Sequence, residues 1–512
     1  MSEWNTKFYR WRAMGGWVVS TASPMSLKEK IVPSGPARHF LPVPGRRPIT
    51  IIANEAILAG LDEKCLEQAM NGASAPYVDR MVVNPDAHTG YGVPVGCVLA
   101  SKDAIFPAPV GPDIKCSMSF LQSDLAASSL ADKPTRRALI NAICERIPTG
   151  ANNRQAAQGR RIDAETLREI AIFGAIPGVL AKLGIPAQWS DSCEDASHGD
   201  PEELAARLRV VCAANPRLEP SLASVGSYGS GNHFGEAEMV TVAPEMSDIA
   251  AHFGLKDGCI GFLSHCGSRG FGYKLADAHF KSLAAKFKLW GTPLPGGDAH
   301  MVYAPLGTPE ATAYLADMAL GGNFATVNHL LINTLVLEAF QEIFPGTKAE
   351  FVYYISHNLA RQEVVDGTMM WVIRKGATRA LPAGHHELRG TRFADTGHPI
   401  LLPGNPTAGS HVMVASAGSA ASLYSINHGA GRAMGRKQAE RTLMRDEVDA
   451  GLAAADVMSN CRVYPIDEAP AAYKNFDDVT ASITQADLAR SVARLRAVFV
   501  IKDGDKDPEG AA

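Results

Sequence analysis

The sequence predicts an α+β fold, one large domain with mixed β-sheets packed between helices, and three observations predict it. Helical patterns do not alternate regularly with parallel-strand patterns, so a doubly wound sheet is not expected. No Walker-type Gly-Lys-Ser/Thr loop occurs, and Gly226-x-x-Gly229-x-Gly231 lacks the dinucleotide-binding spacing. The chain has 512 residues, 46% of them hydrophobic and 20% charged, which is enough apolar surface for a large core.

Taken in order, residues 1–45 read as an irregular N-terminal extension, because they close on Pro42-Val43-Pro44-Gly45-Arg46-Arg47-Pro48. The domain proper is expected over 46–504, followed by a polar C-terminal tail at 505–512. Within it, the polar stretch 191–201 separates two amphipathic helices and reads as a surface insertion. The Gly- and Pro-rich segment 289–309 reads as a long connection able to cover an active site. A helical region at 309–344 is expected to break at Gly321-Gly322, and 433–439 reads as a helix. The last apolar run, Ala497-Val498-Phe499-Val500-Ile501-Lys502, is a buried strand ending in one lysine. No internal repeat is visible.

Composition limits the partners. A formal charge of -4 argues against a broad basic surface, so any contact with a nucleic acid requires a local patch. Its candidates are Arg269, Arg374, Lys375, Arg379, Arg389, Arg392, Arg432, Arg436 and Lys437, which read equally well as a solvated face. The nine cysteines form no Cys-x-x-Cys pair and no cleavable signal is recognisable, which implies reduced thiols and a cytoplasmic location. Trp17-Val18-Val19 is far too short to span a membrane, and no later run is long enough.

Five short runs carry residues suited to chemistry. In Asn427-His428-Gly429-Ala430-Gly431-Arg432 a neutral imidazole can act as a nucleophile, and the glycines let backbone N–H groups approach phosphate oxygens at the start of the following helix. The competing reading is a Gly-rich helix entry with an incidental histidine. Asp113 and Cys116 in Gly111-Pro112-Asp113-Ile114-Lys115-Cys116 are close enough to reach one metal centre, and a thiolate can bridge two ions. Alone, Cys116 reads more simply as a small buried hydrophobe. His233 follows the flexible Gly229-Ser230-Gly231-Asn232, whereas His265 and His357 end apolar strands. Arg269, in the turn after His265, is placed to clamp a phosphate. Three histidines at strand ends beside Asp-x-x-Cys favour a dinuclear manganese or zinc site over isolated structural residues.

From Asp86 to Lys502 these runs, together with Asp86-Ala87-His88-Thr89-Gly90-Tyr91-Gly92-Val93-Pro94-Val95-Gly96, resemble the RtcB-type RNA-splicing ligases, and in the same order. The resemblance implies a GTP- and manganese-dependent ligase that joins RNA 2′,3′-cyclic phosphate or 3′-phosphate ends to 5′-hydroxyl ends. It implies two Mn²⁺ ions on Asp113, Cys116, His233, His265 and His357, with Cys116 shared, and a guanylylated His428. Asn232, Phe234, Glu236, Asn358, Pro403, Gly404, Asn405, Pro406, Ser410, Gly429, Ala430, Gly431 and Lys502 correspond to guanylate-contacting positions, and Arg269 and Arg432 to RNA or phosphate contacts. A monomer assisted by an archease-like activator is the implied assembly. Lys115 and Ser117 beside Cys116, Cys266 after His265, and Asn405-Pro406 in place of a Ser-Met type pair depart from the family pattern. They bear on metal preference, nucleotide affinity and RNA choice.

Rival readings come from other classes. Asp86-Ala87-His88, Gly231-Asn232-His233 and Gly384-His385-His386, with Gly199-Asp200, echo calcineurin-like metallophosphoesterases but leave His428 unexplained. A catalytically silent RNA-binding paralogue would be expected to lack a ligand or the nucleophile, and none is missing. In a structural interaction protein the ordered polar runs would be accidental.

Overall fold

The computed structural model describes residues 25–150 and 160–506. Two large sheets dominate. The first has seven strands, in the order Val32–Gly35, Arg38–Leu41, Ile49–Ile52, Val78–His88, Val95–Ser101, Thr368–Lys375 and Asn358–Val365. The second runs Ala349–Ser356, Ser117–Ala126, Cys259–Cys266, Phe234–Val242, Ala489–Lys502, Gly409–Ala415 and Pro399–Asn405, with Met458–Ser459 added alongside Ala489–Lys502. Each sheet is mostly antiparallel with one parallel pair, which is the mixed α+β architecture expected.

Register in the second sheet brings the chemistry to one rim. Ser117 pairs with both Ser356 and Cys266, and Phe234 pairs with both His265 and Lys502. Antiparallel neighbours therefore set the start of one strand beside the end of the next. Cys116, His233, His265, His357 and Lys502 all fall on that edge. His357 is also the single residue between Ala349–Ser356 in one sheet and Asn358–Val365 in the other, so it stands where the two sheets meet.

Helix Pro309–Ile343 lies behind this rim, continuous over 35 residues and capped by the Thr308 side chain. The expected break at Gly321-Gly322 does not occur. These glycines make room instead: a Cβ on Gly321 would sit 3.1 Å from Ile114, and one on Gly322 would sit 2.9 Å from His198. Packing against the loop that carries the site outweighs the helix cost of glycine.

The extension is not irregular where it is described. Val32–Gly35 and Arg38–Leu41 form a hairpin extending the first sheet, and residues 1–24 lie outside the described residues. The tail opens with a short strand, Asp505–Lys506, paired with Cys461–Val463, while 507–512 lie outside the described residues.

Segment 191–201 is not a simple surface insertion either. Its Glu194 side chain is buried and accepts hydrogen bonds from Ser356 N (3.0 Å) and Ser356 Oγ (2.5 Å), close to Arg361 and Arg379. The fully buried Lys115 ammonium donates to Asp195 O (3.0 Å) and Thr326 Oγ1 (2.7 Å), and lies 2.8 Å from His198 Nε2. Glu194, Asp195 and His198 face interior cations, whereas Asp191, Ser197 and Asp200 are exposed.

Candidate functional site

The rim of the second sheet and the ends of strands from the first enclose a cavity of about 450 Å³. That is the size of a small-molecule site. Asp113, Cys116, His265 and His357 lie on one side, and Asn232, Phe234, Glu236, Asn358, Pro403 to Pro406, His428 to Arg432 and Lys502 complete much of the lining.

Sulfur and nitrogen atoms converge at the rim. Cys116 Sγ is 3.2 Å from His265 Nε2 and 3.4 Å from His233 Nε2, and the three donors lie within 4.8 Å of one another. His233, one layer behind the wall, donates from Nδ1 to Tyr228 O (2.8 Å), which turns Nε2 toward Cys116 and, at 3.0 Å, toward Asp113 Oδ2. The His265 and His357 rings are 5.1 Å apart, and His357 Nδ1 is buried with no hydrogen-bond partner among the described residues. A partnerless buried nitrogen beside a thiol, two imidazoles and a carboxylate fits divalent-cation binding. Burial pushes the Cys116 thiol well above its ordinary value and pushes His265 and His357 well below theirs. Burial also raises Asp113, but the hydrogen bond and charge of His233 hold its carboxyl below the usual value.

The loop is tied to the sheet junction. Lys115 N donates to Asn358 O (2.7 Å), His357 N donates to Cys116 O (2.9 Å), and Asn358 Oδ1 accepts from Gly376 N (2.9 Å). These bonds hold the loop carrying Asp113 and Cys116 against His357.

His428 follows strand Ser425–Asn427, which pairs with Ala377–Arg379. Its Nδ1 is 2.8 Å from both Asp86 Oδ2 and Gly376 O. Both are acceptors, so Nδ1 carries a proton, and in the neutral ring Nε2 is the nitrogen with the lone pair. Asp86 is fully buried at the end of Val78–His88, where the chain closes tightly around it. Gly96 and Gly431 have φ of +85° and +72°, and a Cβ there would come within 2.3 Å of Asp86 Oδ1 and 2.1 Å of Asp86 O. The following helix is Arg436–Thr442, not 433–439, so Gly429 and Gly431 precede it by a full turn and are not its N-terminus.

Beyond Phe234, the cavity carries a second polar cluster. Lys502 Nζ is 3.2 Å from Glu468 Oε2, which also accepts from the Tyr473 hydroxyl (2.6 Å), while Glu468 Oε1 pairs with Arg432 (3.3 Å) and Arg436 (3.0 Å). Burial pushes Glu236 up to about 8, and its Oε1 has no partner among the described residues.

Several expected contacts lie elsewhere. Ser410 donates to Glu238 Oε1 (2.7 Å) behind the wall, and Arg269 braces the loop before His233 through Ser227 Oγ (3.1 Å) and Gly150 O (3.2 Å). Neither lines the cavity. Asn405 spends its side-chain oxygen on Thr407 N and Ala408 N, each at 3.0 Å, so its side chain shapes its own turn. The expected basic patch does not form: Arg374 is buried against Glu363 (2.6 Å), Arg379 pairs with Glu387 and Glu363, and Arg392 donates to Val352 O (3.0 Å). Only Lys375, Arg432 and Arg436 of that set line the cavity. Segment 289–309 does not line it either, although His300 reaches the Tyr91 ring at its mouth.

The phosphoesterase motifs do not converge. Asp200 caps helix Pro201–Ala214, and His385 packs on Tyr424 and His386, away from the cavity. Sequence pattern alone does not single out Asp86 as the partner of His428, nor Glu468, Tyr464 and Tyr473 as part of the lining. Asp86 opens the Gly-rich run quoted above, whereas Glu468 and the tyrosines carry no local signal.

Donors able to hold a divalent cation stand beside a cavity that an oriented imidazole also lines, an arrangement that suits a metal-assisted enzyme. Comparison with known proteins narrows the class: the family described as tRNA-splicing ligase RtcB matches residues 68–503. A tRNA-splicing ligase RtcB of Thermococcus kodakarensis is 32% identical over 478 residues, covering 90% of this chain and 95% of that protein. One from Archaeoglobus fulgidus is 32% identical over 476 residues, with the same coverages. The RNA-splicing ligase RtcB of Mycobacterium tuberculosis is 33% identical over 447 residues, covering 85% of this chain and all of that protein. The chain belongs to the RtcB family and is by that membership an RNA ligase. Among the described residues no helix is long and apolar enough to cross a membrane.

Proposed function

We propose that the chain joins RNA 2′,3′-cyclic phosphate or 3′-phosphate ends to 5′-hydroxyl ends, using GTP and two manganese ions, through a GMP group carried on His428. The observation that carries this reading is the His428 ring, whose Nδ1–H is held by Asp86 and Gly376 while Nε2 is left with its lone pair. Nε2 attacks the α-phosphorus of GTP, an N–P bond forms, and the bond to the β-phosphate oxygen breaks with loss of pyrophosphate. An oxygen of the RNA 3′-phosphate then takes the GMP, breaking the N–P bond and restoring the imidazole. The 5′-hydroxyl attacks the activated RNA phosphorus, gives up its proton, and GMP leaves. A cyclic phosphate end is first opened by water to the 3′-phosphate.

Asp113, Cys116, His233, His265 and His357 are the residues that would hold the ions, with Cys116 between them; bound there, divalent cations supply charge neutralisation on the phosphates. Glu236, with a buried oxygen lacking a partner, suits the donor edge of guanine, and Lys502 suits its carbonyl oxygen. An archease-like activator is the protein partner this reading implies, acting on a monomer in the cytoplasm.

The test is incubation with α-labelled GTP and Mn²⁺ followed by denaturing electrophoresis. A labelled band that is acid-labile, alkali-stable and absent from His428→Ala supports the carrier. Label retained by His428→Ala moves the nucleophile to another residue.

A further inference from the structure

Within the cavity lining one large aromatic ring is turned outward. Tyr91 is 66% exposed, although its neighbours Val93 and Ala87 are buried. A loose loop does not explain this, because the backbone beneath the ring is clamped. Gln68 donates from Nε2 to Gly90 O (2.7 Å) and accepts from Gly90 N (2.9 Å). The buried Lys375 ammonium donates to Tyr91 O and to Val93 O (3.2 Å). Beside the ring stands His300, 5.3 Å centroid to centroid and tilted by 48°. That histidine is itself fixed, since Asp298 Oδ1 accepts from its backbone N–H (2.8 Å) and lies 3.1 Å from its Nδ1.

A rigid, outward-facing aromatic pair at the mouth of a phosphate-chemistry cavity is suited to a flat, unpaired partner. The cavity wall that holds Glu236 and Lys502 comes from the second sheet, whereas Tyr91 follows a strand of the first. A guanine seated against Glu236 leaves Tyr91 to another base. Bases at cut RNA ends are unstacked on one face, and aromatic side chains bind such faces with little sequence preference.

On the ligase reading above, we infer that Tyr91, supported by His300, is a stacking platform for the base of an RNA terminal nucleotide whose phosphate or hydroxyl enters the cavity. It binds an RNA end, not the GTP. A stacked base is worth about tenfold or more in RNA affinity.

The experiment measures steady-state joining at varied RNA concentration with wild type, Tyr91→Ala and Tyr91→Phe. Three substrates are used: intact RNA, RNA abasic at the last nucleotide of the 3′-phosphate strand, and RNA abasic at the first nucleotide of the 5′-hydroxyl strand. Tyr91→Ala is expected to raise the KM for intact RNA by about tenfold, and Tyr91→Phe to restore it. With the abasic strand whose base occupies the platform, wild type and Tyr91→Ala should become equal, which also identifies the end that is bound. An equal Tyr91→Ala penalty on all three RNAs overturns the stacking role and makes the residue a structural one. A penalty read in the GTP dependence assigns the ring to the nucleotide and overturns the RNA assignment. A wild-type protein that joins no RNA overturns the ligase reading and this inference with it.

Discussion

Replacing Asp86 by asparagine keeps the shape of a fully buried side chain and removes its charge, which isolates what that charge does for His428. The imidazole Nδ1–H has two acceptors at 2.8 Å, Asp86 Oδ2 and Gly376 O. With the carboxylate gone the backbone carbonyl remains, so the ring keeps its proton on Nδ1 and its nucleophilic Nε2. The charge assistance is lost as the ring becomes cationic on bonding to phosphorus. A hydrogen bond to a charged group contributes about 1.5–3 kcal/mol against about 0.5–1.5 for a neutral one, a difference near 1.5 kcal/mol. That predicts a loss of about tenfold, rising toward 100-fold because the site is buried and weakly screened. The charge matters only in the transition state, so the loss should fall on the rate constant at saturating GTP, not on KM. Single-turnover formation of the labelled GMP adduct reads this directly. A rate within about twofold of wild type would mean that Asp86 does not act through the ring. A rate as low as that of His428→Ala, with an unchanged melting temperature, would mean that Gly376 O does not hold the tautomer.

Three further outcomes follow from the same geometry. Cys116→Ser replaces the thiol shared by His233 and His265, so manganese content by elemental analysis should fall at both positions together, whereas Asp113→Ala should affect chiefly one; two ions held at normal affinity by the serine protein would remove the bridging role. Lys502→Ala should weaken GTP use by about 1–3 kcal/mol, the cost of a buried unpaired acceptor, and a normal GTP dependence would return the lysine to a purely structural partner of Glu468. Glu236 sits at about 8 because burial disfavours its charge, so donors on guanine should pull that value down and GTP binding should release a proton below pH 8 but not above it; calorimetry in buffers of different ionisation enthalpy would show no such release if Glu236 does not face the base.

The donor residues were legible because strand and ligand share a local signature. Phe262-Leu263-Ser264 leads into His265, and Tyr353-Tyr354-Ile355-Ser356 leads into His357. What no local pattern contains is which strands are neighbours. Asp86 and His428 are 342 residues apart, and the pairing of Ala377 with Asn427 that helps bring His428 beside Gly376 is a tertiary event. Charge misled for a related reason. Glu194, Arg374 and Arg379 read as solvated polar residues, but in the interior Glu194 faces Arg361 and Arg379, and Glu363 faces Arg374 and Arg379. A charged side chain in a sequence does not say whether its partner is water or a counter-charge. The glycines of helix Pro309–Ile343 misled because their reason for being there, the close approach of Ile114 and His198, comes from outside the helix.

The two ends of the cavity use one physical device. At the rim, burial favours the neutral forms of the Cys116 thiol and the His265 and His357 imidazoles, and His357 Nδ1 has no partner among the described residues. Across from them, burial disfavours charge on Glu236 and leaves its Oε1 without a partner. On the proposed reading a cation would satisfy the first end and the hydrogen-bond donors of a guanine the second. Between these ends stands His428, whose proton is already placed by Asp86 and Gly376, so its readiness needs no ligand. On the proposed reading the nucleophile is preorganised, and a metal-bound nucleotide with hydrogen-bond donors would complete the two ends that flank it.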